Sequence, residues 1–250
     1  MPETTPPVFL ADTLPTTGRT TLDGEEARHA ATVRRLRAGE HLILSDGEGG
    51  MARCVIDAVQ AGRDATLTLT IEEHWTEEPP ALRVLIAQAL AKGDRGELAV
   101  ELATEAGADA IIPWRATRSV ARWEQGTRGD KALGRWRTTA RAAAKQARRA
   151  HLPEVTEPVG TRELTGLVQT VSRALILESG ITTRLTEIAL PEQGDILLIV
   201  GPEGGITDEE LATLADAGAT AIRLGPTVLR TSTAAAVALG ALGVLTDRWK

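Results

Sequence analysis

The chain has 250 residues, of which 42% are hydrophobic and 25% charged, the composition of a globular protein with one large or two modest cores. The single cysteine, Cys54, excludes an internal disulfide and fits a reducing cytoplasm. The first residues lack the basic start and apolar core of a signal peptide. The longest apolar run, Thr233 to Leu245, is too short to span a bilayer and is predicted to be a buried helix. We therefore expect a cytoplasmic protein without a membrane partner.

The net charge of −6 conceals a strong segregation of charge along the chain. Between Arg115 and Arg149, nine arginines and two lysines accompany two acids, a net charge of +9 that leaves −15 for the remaining residues. A second basic cluster near the N-terminus comprises Arg28, Arg34, Arg35 and Arg37. Such a pattern can give an acidic protein a positive face for RNA or DNA, and a solvated helix face is the alternative.

Residues 1–74 are predicted to form a small β-barrel or sandwich. Apolar runs at 42–44 and 54–56 flank a glycine-rich stretch, and residues 65–71 alternate leucine and threonine with the period of a strand. Residues 47–52 match the dinucleotide-binding pattern G-x-G-x-x-A, but a strand follows them, so a hairpin turn is the better interpretation. A polar stretch that ends at Pro79-Pro80 marks the boundary to a second domain over 75–250.

The second domain is predicted to be an α/β domain with a mostly parallel sheet and helices on both faces. Segments of helical period alternate with apolar runs at 82–89, 110–112, 174–177, 196–200 and 221–224. A helix is predicted over 130–150, and another begins after Val200, where Thr207 and Glu210 form a capping box. The four histidines are scattered along the sequence and the chain has a single cysteine, so no metal is expected.

Two glycine-rich loops near the C-terminus are candidates for ligand binding. Residues 201–205 join an apolar strand to the capped helix, and residues 224–231 again lie between a strand and a helix. Both loops should lie at the carboxyl ends of strands, where open α/β sheets bind ligands, and glycine lets a ligand approach the backbone. For either loop alone, a tight turn without a ligand is the alternative.

These loops resemble the cofactor-site pair of the 16S rRNA uridine-N3-methyltransferase family, which belongs to the SPOUT superfamily. The matching residues are Gly-Pro-Glu-Gly-Gly at 201–205 and Leu-Gly-x-x-Val-Leu-Arg-Thr at 224–231. Further segments are similar to other motifs of the family and occur in the same order. They are His29 with 33–39, 92–97, 104–107, 118–120 and 146–149. The sequence departs from the family pattern at Val8, Leu102, Lys145 and Ser232, where an arginine, a lysine, a glutamate and an acid are usual.

The resemblance implies an N-terminal RNA-binding PUA-like β-barrel, a C-terminal SPOUT α/β domain with a deep trefoil knot, and a homodimer. It implies methylation of N3 of a uridine in 16S rRNA of the small ribosomal subunit, with S-adenosyl-L-methionine as cofactor. The alternatives are a related SPOUT enzyme that acts on another base or a ribose 2′-hydroxyl, and a non-catalytic RNA-binding protein of the same fold. A nicotinamide oxidoreductase is disfavoured because the second domain lacks G-x-G-x-x-G.

The resemblance also implies site residues. The expected cofactor-binding residues are Leu177, Gly201, Pro202, Glu203, Gly204, Gly205, Leu224, Gly225, Val228 and Leu229. The expected RNA-binding residues are Arg28, Arg35, Arg37, Arg95, Arg118, Arg141, Arg148 and Arg149.

Two residues are candidates for catalysis. Arg230 is expected beside the uracil or the cofactor carboxylate, and its alternative role is an ion pair with Glu178 or Glu203. Glu203 is the second candidate, with capping of the following helix as its alternative role. Thr231 and Ser232 are expected to cap the final helix. The sequence assigns no general base.

Overall fold

The computed structural model describes residues 5–123 and 126–249. The chain divides into two compact units, of which the first comprises Met1–Pro79 together with Ala144–Leu152. The second comprises Pro80–Ala143 together with Pro153–Lys250. Residues 144–152 are here named the return segment, because they join the first unit after the chain has left it.

A five-stranded sheet forms the first unit. Its elements are β1 (Val8–Leu10), β2 (Gly18–Leu22), α1 (Gly24–Arg28), β3 (His41–Ser45), β4 (Gly50–Gln60) and β5 (Thr66–Thr76). The strand order is β1-β3-β4-β5-β2; β1 is parallel to β3 and the other neighbours are antiparallel. Alternate residues of β4 and β5, among them Cys54, Ile56, Leu67 and Leu69, are buried in one core, because successive side chains of a strand point to opposite faces.

The glycine-rich stretch of the first unit is a hairpin turn, as the sequence predicts. β3 and β4 pair antiparallel on either side of it. The Asp46 carboxylate accepts hydrogen bonds from the N–H groups of Glu48 and Gly50, at 2.7 and 2.9 Å. Aspartate commonly closes a turn in this way, so the match to a dinucleotide-binding pattern carries no function.

The return segment is held to the first unit by side-chain and backbone contacts. Lys145 Nζ lies 3.0 Å from both carboxylate oxygens of Glu26 and 5.8 Å from the centre of the Phe9 ring. The N–H of Leu152 donates to the Gly47 carbonyl at 2.9 Å. A glutamate at position 145, usual in the family pattern, would place a second negative charge beside Glu26, so the lysine is the residue that fits this site.

The second unit is an α/β domain whose six strands are all parallel. Its elements are β6 (Leu82–Ala89), α2 (Arg95–Glu105), β7 (Ala110–Trp114), α3 (Thr127–Gln146), β8 (Glu154–Val155), α4 (Thr161–Val168), β9 (Arg173–Leu177), β10 (Gly194–Val200), α5 (Asp208–Asp216), β11 (Thr220–Ile222) and α6 (Thr231–Leu245). The strand order is β11-β9-β10-β6-β7-β8. The predicted parallel sheet is therefore confirmed.

Helices cover both faces of this sheet. Leu198 belongs to one buried apolar cluster, whereas its neighbours Leu197 and Ile199 belong to another. The apolar run near the C-terminus forms α6, as predicted, and one side of this helix is buried. Among the described residues, no helix is both long and apolar enough to cross a membrane. The helix predicted over 130–150 ends earlier, at Gln146, and Arg148 has a left-handed φ of 58°.

Candidate active site

A cavity of about 380 Å³ opens at the carboxyl ends of β9, β10 and β11. These three strands are adjacent and parallel, so the loops that follow them meet at one edge of the sheet. The last residues of the strands, Leu177, Val200 and Ile222, line the cavity. The other lining residues are Arg95, Glu178, Ser179, Gly201, Pro202, Glu203, Gly205, Ile206, Arg223, Leu224, Gly225, Thr227, Val228, Leu229, Arg230, Thr231 and Ala234.

The structure brings both predicted loops to this cavity. All of the expected cofactor-binding residues line it except Gly204, and the two catalytic candidates, Glu203 and Arg230, line it as well. A Cβ atom on Gly204 would lie 3.3 Å from Cβ of Arg118, so the glycine leaves space for that side chain. The cofactor-binding role of Gly204 stays a prediction.

A hydrogen bond from Thr231 joins the two glycine-rich loops, and the buried side chain of Gln88 holds Thr231 in place. The Thr231 hydroxyl donates to the carbonyl of Gly201 at 2.7 Å, and Gln88 Nε2 donates to the same hydroxyl at 2.9 Å. Gln88 is only 1% exposed, so its amide is held away from water. The prediction that Thr231 and Ser232 cap α6 is wrong, because the helix begins without a side-chain cap and the Thr231 hydroxyl is engaged by Gly201 and Gln88.

Neither catalytic candidate takes the alternative role considered from the sequence. The carboxylate of Glu203 accepts the N–H of Lys92 at 3.1 Å, while α5 is capped by Thr207 and Glu210. Arg230 is exposed and forms no ion pair or hydrogen bond through its side chain with any residue that the structure describes. Its guanidinium is therefore available to a ligand in the cavity.

Glu210 is a buried glutamate on α5, the helix that follows the first glycine-rich loop. It is 4% exposed and accepts hydrogen bonds from the N–H of Thr117 and the hydroxyl of Thr161, both at 2.9 Å, and from the N–H and hydroxyl of Thr207. Burial acts to raise its pKa, but the hydrogen bonds outweigh burial and hold the pKa of Glu210 below its ordinary value of 4.5. The capping box was predicted from the sequence, whereas the bonds to Thr117 and Thr161 were not.

The expected RNA-binding arginines of the first unit differ in their exposure and in their contacts. Arg28 and Arg35 line a shallow groove together with Arg63, and Arg37 is exposed. In the return segment, Arg148 donates to the carbonyl of Thr5 at 3.2 Å. Arg149 in the same segment is half-buried.

The expected RNA-binding arginines of the second unit have three different surroundings. Arg95 lines the cavity. Arg118 donates from Nη1 to the carbonyls of Gly204 and Ile206, at 3.2 and 3.5 Å. Arg141 is exposed and has no side-chain partner within residues 5–123 and 126–249. Within those same ranges no group of His, Cys, Asp or Glu could hold a metal ion.

Several cavity residues were missed by the sequence analysis. Glu178 and Arg223 directly follow strands β9 and β11, so the rule that ligands bind beyond the carboxyl ends of strands could have found them. Thr231 ends the second family motif, and the only role predicted for its side chain was capping, because its bond to Gln88 spans 143 positions of sequence and leaves no local pattern.

Comparison with known protein families shows the class of protein to which the chain belongs. The family described as RNA methyltransferase domain matches residues 77–243, and the family described as RNA methyltransferase PUA domain matches residues 22–63. The chain is therefore an RNA methyltransferase with an accompanying PUA domain.

Individual relatives narrow the class to one family. A Mycobacterium bovis protein named ribosomal RNA small subunit methyltransferase E is 53% identical over 247 residues, 97% of this chain and 93% of the relative. A Bacillus subtilis protein of the same name is 32% identical and covers 90% of both chains. The crystal structure of the Neisseria gonorrhoeae ribosomal RNA small subunit methyltransferase E bound to S-adenosyl methionine has a TM-score of 0.84 and 28% identity, over 96% of this chain and 98% of that one. The chain belongs to the family of ribosomal RNA small subunit methyltransferases E.

Proposed function

We propose that this protein methylates N3 of a uridine in 16S rRNA of the small ribosomal subunit, with S-adenosylmethionine as the methyl donor. One observation carries the proposal: the two loops that match the family's cofactor-site pair line a single cavity. Two of the relatives reported above, one 53% identical, carry the name of an rRNA methyltransferase of the small subunit.

The cavity fits S-adenosylmethionine in size and chemistry. A volume of about 380 Å³ lies within the range of small-molecule sites, roughly 300–1,000 Å³. Val200, Ile206 and Ile222 offer an apolar wall to the adenine ring, and the glycine-rich loops offer backbone groups to its polar edge. Glu178 and Arg223 can complement an ammonium and a carboxylate group. When bound, the cofactor supplies an electrophilic methyl group on a positively charged sulfur.

The chain's own residues must orient and activate the uracil. The N3 lone pair is delocalised into two carbonyls and N3 carries a proton, so attack requires loss of that proton or stabilisation of the anion as it forms. The Arg230 guanidinium can donate to O2 or O4 of the ring, where negative charge develops. The base must leave its helix to reach the cavity, and the loops then hold it in line with the methyl group.

Two measurements test the function. Mass mapping of methylated nucleosides in 16S rRNA from cells lacking the protein should show loss of one N3-methyluridine, and purified protein should restore it in the presence of S-adenosylmethionine. Loss of a different base or a ribose methylation would instead identify a related enzyme of the same superfamily. Failure of the purified protein to bind S-adenosylmethionine in calorimetry would leave a non-catalytic RNA-binding protein.

We also propose the finer architecture that the family implies. The first unit, which contains residues 1–74, is a PUA-like barrel that binds RNA, and the second unit is a SPOUT domain with a deep trefoil knot, acting in the cytoplasm on the small subunit. Supporting this, the family described as RNA methyltransferase PUA domain matches residues 22–63. The fold agrees with that of the Neisseria gonorrhoeae relative over 96% of the chain.

RNA binding by the first unit is expected to depend on the groove lined by Arg28, Arg35 and Arg63. Replacing Arg28 and Arg35 by alanine should weaken binding of a 16S rRNA fragment and flatten its salt dependence by roughly one unit of log–log slope or less per phosphate contact. Affinity for S-adenosylmethionine should not change. The control is Arg19→Ala, an exposed arginine of the same unit that pairs with Asp57. An unaltered salt slope in the double variant would show that the groove does not face RNA.

A homodimer is expected to form through α6. Val237 and Leu245 of this helix are each 46% exposed and Val244 is 75% exposed. Val237 and Leu245 line a second concavity together with Gly225 and Pro226 of the second glycine-rich loop, residues 224–231. A second copy of the chain covering this face would therefore also contact the loop.

The dimer is tested by charge placed on this face. Val237→Asp should convert a dimer into a monomer in sedimentation experiments, because a carboxylate buried in an apolar interface is costly. Val33→Asp is the control, since Val33 is also exposed but lies in the first unit. A wild-type protein that sediments as a monomer at working concentration would contradict the dimer.

A further inference from the structure

We propose that Arg118 and Glu210 are positioning residues that hold the first glycine-rich loop in its cofactor-binding shape, and that Arg118 acts on this loop rather than on RNA. The inference rests on the proposed function, because it takes the loop to bind S-adenosylmethionine. It reassigns Arg118, which the basic stretch of the sequence and the family resemblance place among the RNA contacts.

Arg118 is exposed, and it contacts the loop near its Cβ and through its guanidinium. Its Nη1 donates to the carbonyl of Gly204 at 3.2 Å and lies 3.5 Å from the carbonyl of Ile206. The space beside Gly204 is filled by the first atoms of the same side chain, since a Cβ there would lie 3.3 Å from Cβ of Arg118. Gly205, which follows, has a φ of 74°, a conformation that favours glycine. The turn of the loop is thus built around this arginine.

Glu210 fixes the backbone from which Arg118 extends. It accepts the N–H of Thr117, the residue before Arg118, at 2.9 Å. It also accepts the N–H and hydroxyl of Thr207, at the other end of the loop. The hydroxyl of Thr161, at the start of α4, donates to the same carboxylate. One buried carboxylate therefore joins the Arg118 segment to the end of the loop.

The two residues act on the cofactor site only through the loop. Neither Arg118 nor Glu210 lines the cavity, whereas Gly201, Gly205 and Ile206 do. Without the guanidinium, the carbonyls of Gly204 and Ile206 lose a charged donor and the loop can turn to other conformations. The measured cofactor affinity is then multiplied by the fraction of molecules whose loop keeps the binding shape, so it falls as that fraction falls. Once the cofactor is bound, the loop is in place and the chemical step is unaffected.

The decisive variant is Arg118→Ala, compared with Arg122→Ala, a nearby exposed arginine. We expect the Kd and KM for S-adenosylmethionine to rise about tenfold in Arg118→Ala. The kcat at saturating cofactor, the affinity for a 16S rRNA fragment and its salt slope should stay at the wild-type level. Arg118→Lys should restore part of the cofactor affinity, because an ammonium can reach one carbonyl but lacks the planar fork. Arg122→Ala should leave the Kd and KM for S-adenosylmethionine and the kcat unchanged.

Glu210→Gln gives an independent test with a matched control, Glu163→Gln. Both glutamates occupy the third position of a helix and accept the backbone N–H of the capping residue. Glu163 is exposed, whereas Glu210 is buried and also accepts the N–H of Thr117. The glutamine amide at 210 would present donors to other donors, so the KM for cofactor should rise while kcat persists. Glu163→Gln should bind cofactor normally. If Glu210→Gln does not fold, as judged by its thermal melt, the Arg118 variants decide the question.

Three outcomes separate the possibilities. Unchanged cofactor affinity with weakened RNA binding in Arg118→Ala would overturn the inference and restore Arg118 as an RNA contact. A rise in KM matched by a lowered melting temperature, without rescue by lysine, would also overturn it, since that result marks general loss of structure. Absence of S-adenosylmethionine binding by the wild-type protein would overturn the proposed function itself, a result distinct from the other two.

Discussion

Arg230→Lys is expected to slow methyl transfer by about two or more decades, with thermal stability and cofactor affinity unchanged. Arg230 is exposed at the cavity and its side chain has no partner within the described parts of the chain. Its loss therefore removes no contact that holds the fold. A guanidinium can donate two parallel hydrogen bonds to a carbonyl or carboxylate, whereas an ammonium concentrates its charge at one point. Single-turnover methylation, calorimetry with S-adenosylmethionine and a thermal melt should be measured on the same preparation.

The control for this variant is Arg128→Lys, the same substitution at an exposed position early in α3. It should methylate at the wild-type rate. If Arg230→Lys keeps its rate, Arg230 has no part in the transition state. A loss of cofactor affinity that accounts for the whole defect would instead place Arg230 beside the cofactor carboxylate.

Gly225→Val is expected to reduce the affinity for S-adenosylmethionine by at least tenfold without unfolding the protein. Gly225 lines the cavity, and no protein atom lies within 4 Å of the position of its missing Cβ. Its φ is not in the left-handed region, so a side chain at this position causes no backbone strain and its Cβ meets no clash with the chain. The two added methyl groups then reduce the space for a ligand in the cavity, and calorimetry measures the result. Because Gly225 also lines the concavity beside α6, sedimentation of the variant should be measured on the same preparation.

The effect of a valine on cofactor binding can be separated from its effect on the loop only at a glycine whose Cβ position is free. A Cβ at Gly201 would lie 2.7 Å from Cγ1 of Ile206, so a variant there perturbs the loop itself. Gly166→Val is the matched control, because a Cβ at that position in α4 also has no neighbour within 4 Å and Gly166 does not line the cavity. Equal cofactor affinity in Gly225→Val and wild type would show that the ligand does not approach this loop.

The sequence by itself determined the features that depend on neighbours in the chain. The apolar runs predicted the parallel strands β6, β7, β9 and β10, because a strand buried on both faces is apolar at every position. Thr207 and Glu210 predicted the start of α5, since a capping box is satisfied within one turn of helix. Both glycine-rich loops were found in the same way, as breaks between a strand and a helix.

The tertiary structure alone decided how distant segments meet. The return segment belongs to the first unit because Lys145 pairs with Glu26, 119 positions earlier, although the sequence presents it as the end of a helix. Arg118 reads as one member of a basic stretch, yet its partner is the carbonyl of Gly204, 86 positions away. Hydrogen bonds between remote residues leave no period in the sequence, because each depends on one particular group at each end rather than on a repeated pattern. Periodicity reports which face of an element is buried, and only the folded chain shows what that face is buried against.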